Sequence, residues 1–172
     1  AGSENELMPV ALERHPLSDA AARSAAYEAD GADAAAVLRA AGALVLYAHT
    51  EGHPLEQIRA TAPDGIEIYN THANIDPNIR EELLGLPPLS FVGNLFAFTR
   101  AANGLEPDLA LLSFLTPNDV ALSRWDTILA EGTRMAGTGG GDAHENAFPQ
   151  MLPDGERADS YRRMMGWHAH HF

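Results

Sequence analysis

The chain has 172 residues, 45% of them hydrophobic, and a formal net charge of −13. That length suggests one compact domain with a real core, and the acidity argues against a nucleic-acid partner, which would need a basic footprint. With no cysteine, disulfides, thiolate metal sites and cysteine nucleophiles are excluded, and no apolar run approaches the roughly 18 residues of a membrane span.

Asp19 to Ala41 is alanine-rich and punctuated by Gly31, which predicts two short helices or one broken helix, closed by Gly42. Ala43-Leu44-Val45-Leu46-Tyr47-Ala48 is a continuous apolar run of strand length, the pattern of a strand buried on both faces. His49 follows it directly. Pro54 opens a helix continued by Leu55, Ile58 and Arg59. Asp64-Gly65 marks a turn into a strand over Ile66 to Tyr69. Asp76 to Leu84 and Leu89 to Ala102 read as helices, and Asp108 to Phe114 as a further apolar strand. Asn118 or Asp119 caps a helix running to Glu131 and ended by Gly132. Arg134 to Thr138 reads as a strand leading into Gly139-Gly140-Gly141, and Ala158 to Phe172 as a last amphipathic helix.

Strands alternating with helices predict an α/β architecture with parallel strands, whose sites lie at the carboxyl ends of the strands. His49 and the pair Asp142/His144 fall at such ends, and Glu67 lies inside its strand. The chain begins almost on a strand end and stops on an aromatic-rich helix, which reads as a fragment of a larger protein.

Gly139-Gly140-Gly141-Asp142-Ala143-His144 is the segment richest in chemistry. Three glycines open φ > 0 to the backbone, and a D-x-H after a strand can aim a carboxylate and an imidazole at one divalent metal. The plainer reading is an aspartate cap followed by a surface histidine. His49, after a buried strand, is either a ligand or a hydrogen-bonded histidine. His53 lies between Gly52 and Pro54, so it belongs to a loop near the site rather than to a helical metal pair. Glu67 stands among apolar neighbours, where a carboxylate must be paired. It accepts a bond from a ligand histidine or pairs with an arginine. Asn70 and His72 follow in Tyr-Asn-Thr-His as candidates for the rim. His168 and His171 share a helix face, with His170 pointing elsewhere. Trp125 reads as core. No G-x-S-x-G elbow, P-loop or G-x-G-x-x-G occurs.

Gly-Ala-Leu-Val-Leu-Tyr-Ala-His (42–49), Asp-Gly-Ile-Glu-Ile-Tyr-Asn (64–70), Trp-Asp-Thr-Ile-Leu-Ala-Glu-Gly (125–132), Gly-Gly-Gly-Asp-Ala-His (139–144) and Asp-Ser-Tyr-Arg-Arg-Met-Met (159–165) occur in that order. Together they resemble the PHP (polymerase and histidinol phosphatase) family, in particular its metal-dependent phosphoesterase branch. The resemblance implies a distorted (β/α)7 TIM-like barrel, incomplete in this chain, over a single domain spanning residues 1–172. It also implies two or three divalent metal ions (Zn, Mn or Fe) at the strand ends. On the same resemblance His49, Asp142 and His144 are metal ligands, Glu4 in Ala-Gly-Ser-Glu is a bridging carboxylate, and His15 is a further metal histidine. Glu67 matches a characteristic strand carboxylate. The H-x-H and T-D-H motifs that open the family are absent from this chain.

The implied function is hydrolysis of a small-molecule phosphate ester by metal-activated water, with adjacent metals clamping the phosphoryl oxygens. Arg100 and Arg134 are candidate phosphate contacts or ordinary surface residues. The alternatives are a metal-dependent amidohydrolase or esterase, in which the same water attacks a carbonyl, and a non-catalytic scaffold or ligand-binding module. The composition leaves oligomeric state and compartment open.

Overall fold

A computed structural model describes residues 6–28 and 31–167. Four strands alternate unevenly with helices: β1 (Leu7–Val10), α1 (Ala20–Glu28), α2 (Gly31–Ala40), β2 (Leu44–Tyr47), α3 (Leu55–Thr61), β3 (Gly65–Asn70), α4 (Thr71–Ile75), α5 (Pro77–Glu82), α6 (Val92–Phe98), α7 (Asp119–Ala130), β4 (Ala136–Gly140) and α8 (Tyr161–Trp167). Short 3-10 helices cover Thr50–Gly52, Ala101–Asn103 and Pro107–Phe114.

The expected (β/α)7 barrel is corrected here. The strands form one open sheet in the order β1-β2-β3-β4, and a closed ring of seven strands is not seen among the described residues. β1 pairs antiparallel with β2, with Leu7 opposite Tyr47, so the sheet is mixed rather than all-parallel. β2 and β3 are parallel, with Leu46 opposite Gly65, and α3 lies in the connection between them.

Local chemistry explains much of this. Asp64 ties β3 to β2 before the strand begins: its Oδ2 accepts from Val45 N at 2.8 Å, and its own N–H donates to Val45 O at 2.8 Å. Gly65 sits where a Cβ would meet Leu46 Cδ2 at 2.8 Å and Ala136 O at 3.0 Å, so a side chain there would crowd the neighbouring strands. Asp64 O accepts from Ala136 N and Ile66 O from Thr138 Oγ1, contacts that advance in the same direction along β3 and β4. Asp76 caps α5 through bonds from Asn78 N and Ile79 N, with Pro77 in the first turn.

A second correction concerns residues 108–114, which form a 3-10 helix and not a strand. Pro107 starts it, and Leu111 and Phe114 are buried one 3-10 turn apart, while Leu109 and Leu112 are exposed. An apolar run of this length hides its period, so strand and helix cannot be told apart by hydrophobicity alone. The expected strand 134–138 is shifted to Ala136–Gly140 and takes in two of the three glycines.

The chain divides into two compact units, with the boundary falling inside β3 and β4. The first comprises the described residues up to Ile68 together with Val120–Thr138. Its core gathers Leu38, Val45, Tyr47, Ile58, Ile66 and Ile128, with Trp125 packed against it and donating Nε1–H to Met135 O at 3.0 Å. The second comprises Tyr69–Asp119 and the described residues from Gly139 onward, around Ile75, Phe91, Leu95, Leu111, Phe114 and Met164. Among the described residues no helix is long and apolar enough to cross a membrane.

Candidate functional site

In the second unit, one carboxylate collects two imidazoles. β4 ends at Gly140, and Asp142 then takes a left-handed conformation with φ 45°. The three preceding glycines do not use positive φ; the aspartate does, and Asp tolerates this region better than most residues. Asp142 Oδ1 lies 2.5 Å from His144 Nε2, and Oδ2 lies 3.5 Å from His72 Nδ1. The two imidazole rings stand 4.9 Å apart, centre to centre. His144 is half exposed, whereas His72 and Asp142 are largely covered.

α4 delivers His72 to this place. Asn70, fully buried at the end of β3, caps the helix by accepting from Ala73 N at 2.8 Å, and its Nδ2 stands 3.5 Å from Asp142 Oδ2. Thr71 Oγ1 donates to Gly140 O at 3.2 Å, fixing the start of α4 to the end of β4. The sequence pattern makes Asn70 and His72 candidates for a rim. The structure brings both to Asp142. The readable signal was Asn70 itself, a good N-cap residue three positions before Ala73.

Tyr69 and Arg80 hold neighbouring parts of the second unit. Burial pushes the Tyr69 phenol up to about 12, and its hydroxyl donates to Phe114 O at 3.4 Å. Arg80 is buried, donates to Asn74 O at 2.7 Å, and lies over the Phe91 ring.

In the first unit, His49 also takes a left-handed conformation, φ 48°, where β2 gives way to the 3-10 turn at Thr50. His49 and Asp142 are two of five non-glycine residues with positive φ among the described residues, the others being Ala11, Ala62 and Glu145. Glu67, 3% exposed, accepts from His49 N through Oε2 at 3.0 Å, and its carbonyl accepts from Thr50 Oγ1. The buried Glu51 carboxylate lies 3.6 Å from His49 Nδ1. Arg124 donates to Thr50 O, and burial lowers its pKa while Glu51 opposes that shift. Glu51 and Arg124 were not anticipated. Nothing in their local pattern separates them from solvated charges.

The remaining predicted residues take other positions. His53 sets its ring edge-on to Tyr47 at 5.3 Å, with Nδ1 3.4 Å from Gln57 Oε1 at the start of α3. His15 places Nε2 3.3 Å from the Tyr27 hydroxyl, beside α1, and its Nδ1 faces the Leu17 backbone. Arg100 and Arg134 are exposed. Glu4, His168, His170 and His171 lie outside the described residues. Of the metal ligands implied by the resemblance, His49 and His15 belong to the first unit and Asp142 and His144 to the second; Glu67, the characteristic strand carboxylate, belongs to the first.

Two imidazoles and one carboxylate are, in kind, donors that Zn²⁺, Mn²⁺ or Fe²⁺ accepts. Among the described residues, however, no group of three or more His, Asp or Glu side chains is arranged to hold a metal ion as it stands. Each Asp142 oxygen is turned to an imidazole instead. No family model, curated protein or solved structure matches this chain.

Proposed function

We propose that this chain serves metal-dependent hydrolysis of phosphate esters. The observation that carries the reading is Asp142, set between His72 and His144 at the end of a strand. In support, the donor types are those of a borderline divalent metal. The resemblance of segments 42–49, 64–70, 125–132, 139–144 and 159–165 to the PHP phosphoesterases supplies the reaction class.

In this reading Asp142 and His144 hold the metal, and His72 contributes from α4. Asn70 orients Asp142 while capping α4. A bound metal would supply a more acidic water and positive charge for phosphoryl oxygens.

The test is hydrolysis of p-nitrophenyl phosphate with added Mn²⁺ or Zn²⁺, by the wild type and by Asp142→Asn. Saturable, metal-dependent release of p-nitrophenol that Asp142→Asn abolishes is the expected result. Turnover of p-nitrophenyl acetate in place of the phosphate would replace the phosphoester reading with a carboxylic ester one. No metal-dependent turnover of either would favour a non-catalytic module.

A further inference from the structure

Two features of the second unit converge on α8. Gly141 directly precedes Asp142, and a Cβ at Gly141 would stand 2.7 Å from the Met164 carbonyl oxygen and 3.3 Å from its carbon. A backbone oxygen cannot retreat as a flexible side chain can. The turn and the helix therefore meet at this distance only through glycine. The loop beyond the site is tied to the same helix: Glu145 Oε1 accepts from Tyr161 N at 2.9 Å, at the start of α8. Asp159, just before α8 and 1% exposed, accepts from Ala147 N at 3.1 Å and Phe148 N at 2.6 Å.

α8 is in turn fixed by Arg163. Its side chain is 1% exposed, and its guanidinium pairs with Asp108, with Asp154 at 2.8 Å and with Glu156 at 3.5 Å. Nε donates to Arg157 O at 3.3 Å. A buried guanidinium so surrounded holds its geometry, because removing a partner leaves an uncompensated charge. Met164, next in sequence, is buried in the core of the unit.

We infer that α8 is the positioning element for Asp142: the Arg163 clamp fixes where the Met164 carbonyl stands, and the Gly141 contact passes that position to the aspartate between His72 and His144. The inference rests on the reading of Asp142 as a functional residue. Gly141 and Arg163 act through Asp142 and are positioning residues.

The experiment compares Gly141→Ala, Arg163→Lys and Gly166→Ala in the full chain. Gly166 lies on the same helix, but a Cβ there meets nothing within 4 Å, so it controls for helix substitution. Two readouts are taken: the ring ¹⁵N signals of His72 and His144 without metal, and Mn²⁺ affinity by calorimetry. Gly141→Ala is expected to shift both ring signals and weaken Mn²⁺ binding at least about 10-fold, as loss of supporting contacts does at metal sites. Arg163→Lys keeps the charge but loses the planar fork, so it acts in the same direction. Gly166→Ala leaves both readouts unchanged. Unaltered ring signals and affinity in Gly141→Ala overturn the inference. If Gly141→Ala does not fold, unaltered ring signals in Arg163→Lys overturn it instead. A wild type that binds no Mn²⁺ sinks the metal reading alone, and the ring signals still decide whether α8 positions Asp142.

Discussion

His72 Nδ1 stands 3.5 Å from Asp142 Oδ2, although the two residues come from different sequence segments of the second unit. That relationship joins a helix start to a strand end, and it gives the aspartate a second imidazole beyond the His144 two residues away. It makes Asp142 the residue on which most expectations turn.

On the proposed reading, Asp142 acts through its charge and, separately, through its left-handed backbone. Asp142→Asn removes the charge and keeps a residue that tolerates φ 45°. Asp142→Ala removes both. Activity and metal binding should be lost alike in the two variants. Asp142→Ala should be the less stable by about 1 kcal/mol, because alanine pays the left-handed penalty in full. Urea unfolding measures this, and equal stabilities would contradict the backbone role.

Glu67 is expected to matter through an accepted hydrogen bond. Glu67→Ala leaves the His49 N–H without that carboxylate acceptor, a loss of about 1–3 kcal/mol for a buried donor. Glu67→Gln retains an acceptor oxygen of the same reach and should recover most of the stability. Chemical denaturation distinguishes them. If Gln is as damaging as Ala, the charge of Glu67 is what the site requires.

The α8 clamp should weaken in acid. Hydrogen bonding from Arg162 holds the Asp108 carboxyl below its ordinary 3.8, and Arg162 followed by Ser160 holds Glu156 below 4.5. Burial would raise Asp154, but bonding from Arg163 leaves it lowered as well. These carboxyls titrate lower in the folded chain than in the unfolded one. Their contribution is therefore complete above about pH 5 and is lost as pH falls below about 4 through the folded-state values. Hydrogen exchange should show the 161–167 amides opening in acid before those of 119–130. Simultaneous opening of both segments would count against the clamp.

Much of the secondary structure is legible in the sequence, and the reasons are local. β2 announces itself as an apolar run closed by glycine on one side, and α7 by Asp119 at its start and Gly132, φ 87°, after its end. α2 begins at Gly31. β1 was not read, because its Leu-Met-Pro-Val is short and carries a proline. The barrel expectation failed at a different level: alternation of elements indicates an α/β chain but cannot count strands or fix the direction of β1. At the site, Asp142 and His144 were legible because a single residue separates them in sequence. Their link to His72 and the buried Glu51 beside His49 depend on tertiary packing that no local pattern encodes.

The central claim is that Asp142 anchors a divalent metal, and calorimetric titration of the chain with Mn²⁺ or Zn²⁺, beside Asp142→Asn, tests it most directly. The account predicts a saturable binding heat in the wild type and its loss in Asp142→Asn, with the variant still folded by circular dichroism. No saturable heat in the wild type, or the same heat in both proteins, would contradict it.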